Sequence, residues 1–73
     1  MKTFYETLEL AMKEKGMNAA DVCDKSGVIP SYMSKLKSGH IKNPTWDKAL
    51  AIVYALEMMP DDFLALQRSG DGE

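Results

Sequence analysis

Residues 17–45 read MNAADVCDKSGVIPSYMSKLKSGHIKNPT, and the punctuation of this stretch decides the architecture. Asn18 is suited to cap a helix beginning at Ala19, because its side-chain oxygen can accept from backbone N–H groups a turn ahead. That helix is expected to run to about Lys25, with Val22 and the small Cys23 on its inner face, where Cys23 permits close approach of a neighbour. Gly27 comes four residues after Cys23, at the place where glycine takes the positive φ that ends a helix without steric cost. Val28 returns the chain to the core. Pro30 then suits the first position of a second helix, since its locked φ is helical and its missing N–H would be an orphan there. In that helix, about 30–37, Met33 and Leu36 stand i, i+3 and point the same way. Ser31, Tyr32, Ser34 and Lys35 occupy the opposite side, short or basic groups fitted to polar edges and phosphates.

Three further helices flank this pair. Over about Thr3 to Lys15, Phe4, Leu8, Ala11 and Met12 trace an apolar stripe that turns polar at Lys15, and Gly16 stops it. The loop Gly39 to Pro44 is polar apart from Ile41, and Thr45 is placed to cap a fourth helix with Asp47 near its positive end. Trp46, Ala49, Leu50, Val53 and Leu56 form the expected inner stripe of that helix. Pro60, Asp61 and Asp62 start a short fifth helix carrying Phe63, Leu64 and Leu66. No strand pattern, internal repeat or low-complexity block competes, so the expected fold is all-α: five helices in one domain over 1–67, followed by a flexible tail over 68–73.

Composition agrees with a single small core. Of 73 residues, 45% are hydrophobic and 27% charged, a globular balance rather than a disordered one. The single cysteine excludes an internal disulfide, and no His/Cys cluster has zinc spacing, so no metal or cofactor is expected. Met1-Lys2 is not followed by an apolar signal core, and the run Ala49 to Leu56 is far shorter than the roughly 20 residues of a membrane span, so no membrane role and a cytoplasmic location are expected. The formal net charge of −2 argues at first against a polyanionic partner. Its distribution reverses that view. Lys35, Lys37, Lys42 and Lys48 against Asp47 alone make residues 30–50 net positive, whereas Arg68 against Glu57, Asp61, Asp62, Asp71 and Glu73 makes residues 51–73 net negative. A local basic patch is what a phosphate backbone meets, and an acidic remainder weakens indiscriminate sticking.

Two short helices joined by a tight glycine-containing turn are how small proteins present one helix to the major groove of DNA. Here the sequence resembles the Cro and phage-repressor family of helix-turn-helix regulators, also called the xenobiotic-response-element family. GVIPSYMSKLKSG is close to that family's recurring recognition-helix pattern, and Asn43, Pro44 and Thr45 match the Asn-Pro-Ser/Thr that leads into its fourth helix. The similarity runs from about Leu8 to Phe63. It implies a compact, five-helix, lambda-repressor-like domain acting as a phage- or prophage-type repressor, with residues 30–37 in the major groove of a double-stranded operator. By analogy, Ser31 and Lys35 at the exposed side of that helix are candidates for base readout, Lys35 as a donor to guanine O6 or N7. Pro30 starts the helix. Tyr32 and Ser34 on the flanks fit phosphate or a thymine methyl, and Ser38, His40 and Lys42 fit phosphate positioning.

Plainer readings stand beside these. The four lysines alone are equally compatible with a solvated face, and the Tyr32 ring with packing on the scaffold. His40 and Cys23 lack partners at catalytic spacing, and no nucleophile–base pair or phosphate-cradling glycine loop is present, so neither an enzyme nor a small-molecule substrate is expected. The sequence departs from the family pattern at Ala19, where glutamine is usual, at Ile29, where a Ser or Thr cap is usual, and in the loop GHIKNPT, one residue longer than the commonest form. A homodimer on a pseudo-palindrome is the expected assembly, because one module this small covers little DNA. Ile52, Met58, Met59 and Leu66 are apolar beyond the needs of the inner stripes and are the candidate pairing residues. The rival function is a protein-interaction module on the same fold, an antitoxin-like or anti-repressor partner binding through its acidic ends.

Overall fold

A computed structural model describes residues 2–68, in which the chain forms five helices and no strand: α1 (Phe4–Lys15), α2 (Ala19–Ser26), α3 (Pro30–Ser38), α4 (Trp46–Ala55) and α5 (Pro60–Arg68). The first two begin with reciprocal caps. The Thr3 hydroxyl accepts from the Glu6 N–H at 3.1 Å while the Glu6 carboxylate accepts from the Thr3 N–H at 2.9 Å, and Asn18 with Asp21 repeats the device at 2.9 and 3.2 Å. Four donors that a helix start leaves unpaired are thereby satisfied.

Gly27 sets the angle between α2 and α3. Its φ is +79°, and its N–H donates to the Cys23 carbonyl at 2.9 Å, closing α2 in a left-handed residue. The Ser26 hydroxyl accepts from the Val28 N–H at 3.2 Å, so the turn is bonded on both sides of the glycine. A Cβ at Gly27 would meet nothing within 4 Å. The cost of Gly27→Ala is therefore purely one of backbone conformation, expected at about 1–2 kcal/mol of stability in a denaturation titration. A negligible change would mean that α2 ends equally well without the left-handed residue. α3 starts as its sequence suggests, with Pro30 in the first turn and no side-chain cap at Ile29, whose carbonyl accepts from the Tyr32 and Met33 N–H groups.

Among the described residues, thirteen buried apolar side chains form one core. α2 lies mainly against α4 and α1 against α5, while α3 packs on α2 and α1. The α1–α5 contact centres on Phe4 and Phe63, whose rings lie 5.0 Å apart at 40°. Val22, Val28, Met33 and Leu36 all turn inward, as their spacing predicts. One polar side chain joins them: Thr7 is fully buried, and its hydroxyl donates to the Thr3 carbonyl at 2.9 Å. The Cα radius of gyration is 11.3 Å, close to the roughly 11 Å of a compact chain of this length. No helix among the described residues is long and apolar enough to cross a membrane.

The fourth helix differs from the sequence reading. Trp46, expected inside, is 75% exposed, and Ile52, expected outside, is fully buried with Val53, Ala55 and Leu56. Trp46 stands in the first turn of α4 and lines an open α4–α5 groove with Val53, seven residues on along the same side, which leaves most of the indole in solvent. Ile52 is consequently unavailable as a pairing residue, and Met58 and Leu66 are half-buried against the core. Thr45 precedes α4 without a side-chain cap bond. α2 and α3 extend one residue beyond their expected ends, and α5 continues through Arg68. The rest of the predicted tail, residues 69–73, lies outside the described residues.

Candidate nucleic-acid interface

With Met33 and Leu36 turned inward, α3 presents Ser31, Ser34, Lys35 and Ser38 at i, i+3, i+4 and i+7 along its outer side, all four exposed. Pro30 is also exposed at the start of the helix. Lys37 lies on one flank of this line. Tyr32 lies on the other, half-buried, with its ring packed against the core and the Lys48 ammonium 5.1 Å from the ring centroid. The packing reading of Tyr32 is the one the structure shows: the ring rests on the scaffold, with a cation over it.

The loop after α3 is pinned to that helix. The Ile41 N–H donates to the Lys35 carbonyl at 3.1 Å, and the Ile41 side chain packs on the core. This anchoring leaves His40 and Lys42, on either side of it, exposed. The Ser38 hydroxyl donates to the Lys35 carbonyl at 3.2 Å and lies 2.8 Å from His40 Nδ1. Ser38, His40 and Lys42 therefore belong to one connected edge at the C-terminal end of α3.

Three residues outside the predicted set border the same surface. Tyr5 from α1 and Ala19 and Ala20 from α2 line a shallow cleft with Ser34 and Lys37 alongside α3. Burial, and secondarily the neighbouring Glu9 charge, raise the Tyr5 pKa above its ordinary value, so the phenol stays a neutral hydrogen-bonding group. Lys37 was legible in the sequence as a basic residue at the close of α3. Nothing in the sequence places Lys48 over Tyr32, sixteen positions away, or Tyr5 beside Ser34. Among the described residues, Lys35, Lys37, Lys42 and Lys48 have no ion-pair partner. Asp61 and Asp62 open α5, beyond the far end of α4, whose ten residues span about 15 Å. Acids and lysines also meet outside these two groups: Glu6 lines a recess with Lys37 and Lys42, and Lys25 pairs with Glu57 at 3.5 Å.

Two helices crossing at a glycine turn, the second with a buried apolar side and a free polar side, define a helix-turn-helix protein. The chain belongs to the Cro/C1-type HTH DNA-binding domain family, whose sequence model matches residues 7–69. DNA is the partner that this membership implies. Comparison with curated proteins and with solved structures gives no significant match.

Proposed function

We propose that this chain is a sequence-specific, double-stranded DNA-binding transcriptional regulator of the phage- or prophage-repressor type, acting as a homodimer on a pseudo-palindromic operator. The observation that carries the reading is the line Ser31, Ser34, Lys35 and Ser38 on a helix whose other side is locked into the core. In this reading α3 enters the major groove behind Pro30, Ser31 and Lys35 read base edges, and Tyr32 and Ser34 flank them at phosphate or thymine methyl. Ser38, His40 and Lys42 hold the sugar-phosphate backbone and set the register. Residues 1–67 form the DNA-binding unit. Repression fits better than activation, because contacts that recruit polymerase need a surface beyond the one that holds the operator.

The test is selection from random duplexes followed by footprinting. An enriched site with two half-sites about 10 bp apart, or a multiple of that spacing, is the expected result. Affinity for it is expected to fall with a slope of about −0.9 per phosphate contact in log K against log salt. Absence of any salt-sensitive complex even at low ionic strength would overturn DNA binding and favour the protein-interaction reading.

A further inference from the structure

The Pro30, Ser34 and Lys37 side of α3, at i, i+4 and i+7, faces a cleft of about 320 Å³ whose other walls include Tyr5 of α1 and Ala19, Ala20 and Cys23 of α2. Three polar groups border it: the Tyr5 phenol, the Ser34 hydroxyl and the Lys37 ammonium. None of the three has a hydrogen-bond or ion-pair partner among the described residues. The Tyr5 ring packs against the core, yet no buried polar side-chain atom among the described residues lacks a partner, so its hydroxyl is open to solvent. The phenol also keeps its proton, because burial first and the Glu9 charge second hold its pKa above the ordinary value. Among the described residues no carboxylate lines the cleft, and Ala19 and Ala20 leave its α2 side open.

We propose that this cleft seats one phosphate of the bound duplex, and that α1 joins the DNA interface there through the Tyr5 hydroxyl. Ser34 belongs both to the outer line of α3 and to the cleft, so a duplex lying along that line carries its backbone across the cleft mouth. A phosphodiester offers two free oxygens that share one negative charge and accept several hydrogen bonds. The phenol and the Ser34 hydroxyl supply neutral donors, and the Lys37 ammonium supplies a donor of opposite charge; bonds to an ionised acceptor of this kind are the strong ones. The packed Tyr5 ring holds its donor in place before contact, so less rotamer freedom is lost there than in ordering a free side chain. Such a contact fixes register without reading a base. The inference rests on the DNA-binding reading above and adds to it a residue that lies outside both the glycine turn and the basic loop.

The experiment is titration of the full chain with the selected duplex and a scrambled one over a range of salt concentrations, with thermal melting of each variant as a folding control. Tyr5→Phe keeps the ring and removes the hydroxyl. It is expected to weaken both complexes alike by about tenfold and to leave the slope of log K against log salt unchanged, since a neutral donor displaces no counterion. Lys37→Ala is expected to weaken both and to reduce that slope by about 1. Single methylphosphonate linkages, each removing the charge of one phosphate, then locate the contact along the selected duplex. The linkage that weakens wild-type binding at this point is expected to cost Tyr5→Phe much less, a coupling that a merely structural hydroxyl would not produce. Wild-type affinity in Tyr5→Phe, a loss confined to the selected duplex, or a loss coupled to no linkage would overturn the cleft and leave DNA binding standing. A wild type that forms no salt-sensitive complex with any duplex would overturn the DNA-binding reading itself, and the cleft with it.

Discussion

Truncation of Ile52 to alanine is expected to lower the unfolding free energy by about 2–5 kcal/mol, the cost of lost apolar burial plus the cavity left behind. Ile52 is fully buried in the helix that lies against α2. A domain of 73 residues has only about 0.05–0.15 kcal/mol of stability per residue to lose. The melting temperature should therefore drop by on the order of 10 °C or more, since each kcal/mol is worth about 4–8 °C at this size. Met59, on the neighbouring turn and largely exposed, is the control. Its truncation is expected to stay within about 0.5 kcal/mol. Equal losses at the two positions in parallel urea titrations would contradict the orientation of α4.

Lys35→Ala is expected to cost about 1–3 kcal/mol, roughly 5- to 150-fold, on the selected duplex and to relax the preference at one base pair. The reason is geometric. Lys35 shares the outer line of α3 with Ser31 and Ser34, one turn before the pinned loop, and the proposed reading gives its long side chain a base edge. Lys42 stands in that loop, and Lys42→Ala is expected to weaken all sequences alike and to reduce the salt slope by about 1. Competition binding against the selected duplex and a scrambled one separates the two outcomes. If Lys35→Ala lowered both affinities equally, Lys35 would be a phosphate ligand and base readout would fall to Ser31 and its neighbours.

The elements around the glycine turn were legible because local chemistry decides them. Asn18, Gly27 and Pro30 each have one conformational use at their positions, and Met33 with Leu36 leaves α3 only one way to face. The fourth helix was harder to orient because apolar residues surround it: Trp46, Ala49, Leu50, Ile52, Val53, Ala55 and Leu56 supply more than one plausible stripe. Packing against α2 chose the stripe around Ile52, a tertiary decision that no periodicity contains. Thr7 escaped notice for a different reason: its hydroxyl is satisfied inside its own helix by the Thr3 carbonyl, so the side chain is buried as if apolar. At the candidate interface, the α3 residues follow from the inward turn of Met33 and Leu36. The contributions of Lys48 and Tyr5 depend on how α4 and α1 cross α3 and could be seen only in three dimensions.

The unpaired lysines on and around α3 bear on events before any contact is made. A patch of unpaired cations draws a polyanion toward it and favours approach with that side leading. Productive collisions then exceed their random share, because the orientational search that slows most macromolecular encounters is shortened. The gain is largest at low salt, because at physiological ionic strength the screening length of about 8 Å is already shorter than every dimension of the molecule. Net charge is thus a poor guide to how fast such a chain finds its target; the local patch is the better one.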